Sequence, residues 1–182
     1  MKRWKLEMRL VVLVWMLACG AVAQAPQSYS VEGKVTYFAS YPLGRWQGVN
    51  PTARGVVLWR EPEASGQVCV ELSRFDSGNW LRDADTRGVF EIGQYPQSCF
   101  EASALRRLEG ERVLLEGTLE LHGVKKRIRI EGQLEADGAA YRFRGSFKTS
   151  FSEWNLQRPS LFFISVDDPL EVRLEARAEP VR

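Results

Sequence analysis

Between Glu111 and Thr149 apolar and polar residues alternate through three runs, separated from their neighbours by two-residue turn signals that end in glycine. The first run places Val113, Leu115, Gly117, Leu119 and Leu121 on one face and Glu116, Thr118 and Glu120 on the other. The second sets Ile128, Ile130, Gly132 and Leu134 against Arg127, Arg129, Glu131 and Gln133, and the third sets Tyr141, Phe143, Gly145 and Phe147 against Arg142, Arg144, Ser146 and Lys148. A period of two is that of a half-buried strand. Glu109-Gly110, His122-Gly123 and Asp137-Gly138 supply the positive φ that tight hairpin turns need. The block predicts an antiparallel meander with a pinned register, because a slip of one residue would turn the whole apolar set to water.

The same period recurs outside the meander. Tyr29, Val31, Gly33, Val35 and Tyr37 alternate with polar residues and predict a first strand. Tyr41 to Thr52 is rich in turn formers and predicts a break. Residues 55–60 and 67–75 read as strands joined by a turn at 61–66. Residues 77–96 read as an irregular connection with one helical turn near Trp80 to Arg87. Residues 98–106 suit a helix by composition, but the need to pair the first meander run favours a strand. Residues 161–166 and 170–178 read as two more strands, the second with Leu170, Val172, Leu174 and Ala176 inward. About eight strands with no long helix, repeat or linker is the pattern of one closed all-β barrel.

Gly117, Gly132 and Gly145 occupy mid-strand positions of apolar parity, where a filled core would carry large side chains. Glycine there marks either a bend of the sheet or a close approach by something else. The two readings, barrel corners and room for a ligand, are compatible in a small barrel.

Lys2, Arg3, Lys5 and Arg9 precede an apolar stretch from Leu10 to Ala18 and a small-x-small site at Ala21-Val22-Ala23, so residues 1–23 read as a secretory signal peptide and 24–182 as one domain. The apolar stretch is too short for a stable membrane anchor. A competing reading makes Leu17-Ala18-Cys19-Gly20 a lipoprotein box with Cys19 the lipidated first residue. The leader holds four basic residues and one acidic one. Of the chain's 25 basic and 23 acidic residues the mature part therefore keeps 21 and 22, net −1. No basic excess remains to bind a nucleic-acid backbone.

Export into an oxidising compartment changes how Cys69 and Cys99 read. Both fall at outward parity, next to inward Val68, Val70 and Phe100, and if their strands are neighbours a cross-strand disulfide closes a loop of about 30 residues, worth roughly 3 kcal/mol by loop-closure entropy. The other reading is two free thiols.

Few residues carry reactive chemistry. His122 is the only histidine, and no zinc-ligand pair, nucleotide-binding loop or dinucleotide fingerprint is present. His122 reads as a turn residue, and the alternating Arg82-Asp83 and Asp85/Arg87 charges read as a pair holding a loop or as contacts to a ligand's head. Trp46, Trp80 and Trp154 fall beside connections, where aromatics plug a barrel end or stack on a ligand.

Residues 79–87, Asn-Trp-Leu-Arg-Asp-Ala-Asp-Thr-Arg, followed by Phe90, Tyr95-Pro96, Phe100 and Ser103, and then Leu119-Glu120-Leu121-His122-Gly123-Val124, resemble the YceI-like polyisoprenoid-binding family across about residues 29–178. The resemblance implies an exported, eight-stranded antiparallel lipocalin-like barrel with an apolar interior channel. It also implies a non-catalytic role holding an isoprenoid lipid such as a quinone or polyprenyl phosphate. Arg82-Asp83 falls on the family's Arg-Asp pair. Asp85 stands where the family has His, Ser152-Glu153-Trp154-Asn155 replaces a stretch ending in Phe-Gly, and the cysteine pair is not a family feature.

On this reading the channel is lined by Val35 and Tyr37 from the first strand, by Val68, Val70 and Phe100 around the cysteines, and by the meander residues Leu115, Gly117, Leu119, Ile130, Gly132, Phe143, Gly145 and Phe147. Arg82, Asp83 and Trp154 are the candidate head-group contacts. No catalytic residue, metal ligand or cofactor is expected. The product is expected to be periplasmic or secreted. The alternative is an envelope interaction protein with a filled barrel, binding a partner through residues 41–52 and 77–96.

Overall fold

The computed structural model describes residues 25–161 and 164–181. The expected leader and Cys19 lie outside them. Eight strands close into one antiparallel barrel. They are β1 (Gln27–Tyr41), β2 (Gly44–Arg60), β3 (Glu63–Glu71), β4 (Gln97–Arg107), β5 (Arg112–Leu121), β6 (Val124–Asp137), β7 (Ala140–Ser150) and, after a short hairpin of β8 (Ser160–Leu161) with β9 (Ile164–Ser165), the last strand β10 (Pro169–Pro180). Each barrel strand pairs with its predecessor, and β10 closes the circle by running against both β7 and β1. Closure leaves no open sheet edge.

The meander follows its alternation. β5, β6 and β7 pair in the register set by the turns, with Gly117 opposite Ile128 and Gly132 opposite Gly145. His122 and Gly123 turn the chain with φ of 52° and 74°, and Gly110 and Gly138 do the same at the flanking hairpins. Outward residues pair across strands, as in Arg144–Glu135 at 2.9 Å and Arg129–Glu116 at 3.0 Å. Such exposed pairs contribute about 0–1 kcal/mol each, so the inward face supplies most of the stability.

Three expectations about the first half of the chain are corrected. The break expected over Tyr41 to Thr52 shrinks to the turn at Pro42 and Leu43: β2 begins at Gly44 and runs through the rest of the segment. A bulge opposite Lys34 makes this compatible with Pro51, since Asn50 pairs with Val35 and Ala53 with Gly33, leaving Pro51 and Thr52 without a ladder partner on β1. On the other side, side chains stand in for the ladder. Asn50 Nδ2 donates to the Glu71 carbonyl at 2.8 Å, Glu71 N–H donates to Thr52 Oγ1 at 3.0 Å, and Asn50 Oδ1 accepts from the Thr52 hydroxyl at 2.6 Å.

The second correction shortens a strand: β3 stops at Glu71, and Leu72–Arg74 form a 3-10 turn. The third lengthens a helix. Residues Trp80–Val89 form α1, ten residues long, because Asn79 caps it by accepting from the Leu81 and Arg82 N–H groups at 3.1 and 3.2 Å. The single strand expected at 161–166 is instead divided between β8 and β9, outside the barrel, with residues 162–163 not described.

Cys69 and Cys99 are directly opposed on β3 and β4 and form a disulfide, with Cα atoms 4.1 Å apart. Its loop spans a sequence separation of 30 residues. Reduction, or the Cys69→Ser/Cys99→Ser double variant, is expected to lower the unfolding free energy by about 3 kcal/mol. Urea melts with and without reductant measure it, and coincident midpoints would show that the bond adds nothing.

A candidate apolar binding cavity

The inward faces of the eight strands do not meet. They enclose a cavity of about 280 Å³ whose wall is almost wholly hydrocarbon, close to the lower edge of the range for small-molecule pockets, roughly 300–1,000 Å³. Of the expected lining residues, Val35, Tyr37, Val68, Val70, Phe100, Leu115, Leu119, Ile130, Phe143 and Phe147 all stand on the wall. The interior is therefore not solid.

Gly117, Gly132 and Gly145 do not open onto that space. A Cβ on Gly117 would lie 2.3 Å from the Glu101 carbonyl oxygen and 2.4 Å from the Phe100 ring, and the Phe143 ring covers both Gly132 and Gly145, at 2.8 and 2.6 Å from the corresponding Cβ positions. These glycines let neighbouring strands approach and let two phenylalanine rings lie flat on the wall. The space lies inside the rings, not over the glycines.

One end of the barrel is capped by sequence that follows no strand period. Phe151, Trp154, Leu156 and Val166 bury together with Ala39. Trp154 is only 1% exposed. Its indole N–H donates to Thr149 Oγ1 at 2.7 Å, and its carbonyl accepts from His122 Nδ1 at 3.2 Å. His122 therefore does more than turn the chain: it also packs on Tyr95, with ring centroids 4.6 Å apart, and sets Nε2 3.6 Å from Glu91, tying three segments of this end together. α1 covers the rest of the end, presenting Thr86, Val89 and Phe90 to the cavity. No residue of the helix is fully buried. The cap is therefore half rigid plug and half lightly seated helix.

The candidate head-group residues separate in this geometry. Trp154 is the plug. Asp83 turns back on the preceding loop, accepting from the Ser77 N–H at 2.9 Å and the Ser77 hydroxyl at 2.6 Å. Arg82 lays its guanidinium over the Trp46 ring, 5.1 Å from the centroid. Trp80 stands 79% exposed on the outside and plugs nothing.

Beneath Arg82 the apolar wall acquires its few polar atoms. The Tyr37 and Thr86 hydroxyls share a hydrogen bond of 3.2 Å. Tyr37 lies against Gly48, whose missing side chain makes room for the ring, and edge-on to Phe75. Burial pushes the Tyr37 phenol above its ordinary pKa, with the Thr86 hydroxyl and the nearby Trp46 indole working in the opposite direction. The phenol therefore stays protonated through the neutral range.

The far end has another character. Tyr29, Trp59 and Tyr141 converge there, Tyr141 edge-on to both others with centroids 5.7 and 5.3 Å away. Arg107 sits over Trp59 and Tyr141 but is held by Glu61 at 3.4 Å. Among the described residues no helix is long and apolar enough to cross a membrane, and no cluster of three or more His, Cys, Asp or Glu could hold a metal ion.

Tyr29, Trp59, Tyr141, Phe75, Thr86, Val89 and Phe90 also stand on the wall, beyond the residues expected there from the sequence. Two signals in the chain mark some of them. Trp59 continues the parity of Gly55 and Val57, and Thr86, Val89 and Phe90 fall at i, i+3 and i+4 of one helix face.

A closed eight-stranded antiparallel barrel with an apolar hollow and a capped end is a lipocalin-like architecture. The YceI-like domain model matches residues 25–178, and the chain belongs to that family. Solved structures repeat the fold at low identity. BcnA of Burkholderia cenocepacia superposes with a TM-score of 0.72 at 19% identity over 80% of this chain and 95% of that one. A polyisoprenoid binding domain from Saccharophagus degradans, implicated in plant cell wall breakdown, gives 0.69 at 15% over 85% and 99%. The Campylobacter jejuni YCEI protein gives 0.61 at 15% over 74% and 84%. Among curated proteins none matches the chain.

Proposed function

We propose that this protein binds the tail of an isoprenoid lipid inside its barrel, without catalysing a reaction, as a carrier, store or sensor in a compartment outside the cytoplasm. The observation that carries this reading is the apolar cavity: a hollow of about 280 Å³ walled mainly by Val, Leu, Ile and aromatic side chains offers water little to bind and suits a hydrocarbon. Each Å² of apolar ligand surface withdrawn from water there gains roughly 25 cal/mol. The aromatic rings laid over Gly117, Gly132 and Gly145 keep the wall smooth, so it suits a flexible methyl-branched chain better than one rigid shape.

The family membership and the polyisoprenoid-binding relative agree with this reading. So does the wall's chemistry, which is mostly hydrocarbon, with the Tyr37 and Thr86 hydroxyls at the capped end and the Tyr29 and Tyr141 phenols at the other among its few polar groups. The Cys69–Cys99 disulfide fits an exported protein.

Organic extraction of protein purified from its own envelope, followed by lipid mass spectrometry, is expected to release one prenyl-chain species in near-stoichiometric amount. A barrel that comes out empty and also fails to take up added prenyl lipid would end the proposal.

A further inference from the structure

Resting on the lipid-binding reading above, we infer that the ligand enters and leaves sideways, through a seam between β6 and β7 that the segment Phe151–Leu156 holds shut. Every barrel strand has a neighbour on each side, but this seam is laddered over only part of its length. Pairing between β6 and β7 runs from Asp137 opposite Ala140 to Glu131 opposite Ser146 and stops there. Both strands continue toward the capped end. β6 stays paired with β5 as far as Val124, and β7 stays paired with β10 as far as Ser150. At about 3.3 Å per residue the unladdered stretch of β7, Phe147 to Ser150, makes a slot roughly 13 Å long. Ile128, Ile130 and Phe147 on its two sides line the cavity, so the slot gives onto the apolar hollow.

Side chains close this slot in place of a ladder. Trp154 spans it: the indole N–H donates to Thr149 Oγ1 of β7, and the Lys126 ammonium of β6 lies 5.6 Å over the ring. The backbone N–H groups of Phe151, Trp154, Asn155 and Leu156 bond within the segment or to the Asp168 carbonyl. Toward β6 the segment is held by the His122 Nδ1 bond to the Trp154 carbonyl and by packing on Val124 and Ile128. It is therefore joined covalently to the end of β7 and only laid against β6, which is the geometry of a flap hinged at Phe151.

The other coverings are fastened differently. α1 lies between two backbone ties to the barrel, the Val49–Asp76 pair at 2.8 and 2.9 Å before it and the Leu72 N–H to Pro96 carbonyl bond at 2.9 Å after it. At the far end the β6–β7 ladder is complete to its turn, so the wall there has no lateral gap. Swinging the flap off β6 gives up one side-chain bond and apolar contacts, and no ladder.

Two measurements test the seam. Amide hydrogen exchange on the purified protein, read by NMR, should find alternate amides of residues 125–130 exchanging much faster than the amides that face β7 from Glu131 onward. Uniform protection along β6 would mean that no seam exists. The second measurement is the rate at which tritiated geranylgeraniol leaves the loaded protein for phosphatidylcholine vesicles. Thr149→Val removes the acceptor that seats the Trp154 ring and should speed release about five- to tenfold, the size of one net hydrogen bond. Asn79→Ala, which uncaps α1, should leave the rate within about twofold. The reverse order would put the door at α1 and overturn the inference. Uptake by the parent with no response to Thr149→Val sinks the door alone, whereas no uptake by the parent or either variant sinks the lipid reading and the door with it.

Discussion

Trp154→Ala is expected to lower the unfolding free energy by about 3–5 kcal/mol, the range for removing a fully buried large aromatic. Three separate losses combine at this residue. The ring is 1% exposed and packs among Ala39, Phe151, Leu156 and Val166, so deletion leaves a void that the surrounding backbone can close only in part. Thr149 loses the indole donor on its hydroxyl. The Lys126 ammonium, 5.6 Å above the ring, loses its aromatic partner. Trp154→Phe keeps most of the packing and gives up the N–H, so it should cost only about 1–2 kcal/mol. Urea denaturation of both variants gives the two figures. An alanine variant within 1 kcal/mol of the parent would mean that the segment after β7 is a loose flap and not a plug. The same pair of variants bears on function. If the rigid half of the cap is held by Trp154, bound lipid should leave the alanine variant faster than the phenylalanine variant, whereas exchange controlled from α1 or from the far end would leave the two rates equal.

The parts of this molecule that were legible in its sequence are those where one physical signal acted alone. β5, β6 and β7 alternate without interruption and end in glycine turns, and their register is the one the pattern implies. The cysteines were readable because parity put both outward, and a disulfide between opposed residues needs only that and neighbouring strands. Where two signals conflict, the sequence misleads. Asn50 and Pro51 are turn formers, yet they sit within β2 because a bulge absorbs the proline and the Asn50 and Thr52 side chains replace the missing backbone bonds. That arrangement depends on Glu71, 21 residues from Asn50, and no local window contains it. The full length of α1 is hidden for a similar reason. Its ten residues include Gly88 and two aspartates, all poor helix formers, and what holds it is an Asn79 cap together with the seat of Thr86, Val89 and Phe90 on the barrel end.

The inward glycines show most clearly what a strand pattern leaves out. Gly117→Leu would be harmless if the position faced an empty channel, since the side chain would simply fill space. The structure leads to the opposite expectation: a loss of about 3 kcal/mol or more, at the upper end for overpacking. Two obstacles meet any Cβ there. One is the Phe100 ring, which can rotate or be removed, and the other is the Glu101 carbonyl of the paired strand, which cannot move unless β4 and β5 separate. A double-mutant cycle tells them apart. Phe100→Leu combined with Gly117→Ala should recover only the part of the loss that belongs to the ring, and the remainder measures the backbone contact. Gly88→Ala is the control, because nothing lies within 4 Å of its Cβ position and alanine favours a helix, so that variant should gain about 0.5–1 kcal/mol. Should Gly117→Leu instead keep its full stability and lose only bound lipid, the hollow would extend over the glycine, and the smooth aromatic wall described above would be wrong at that point.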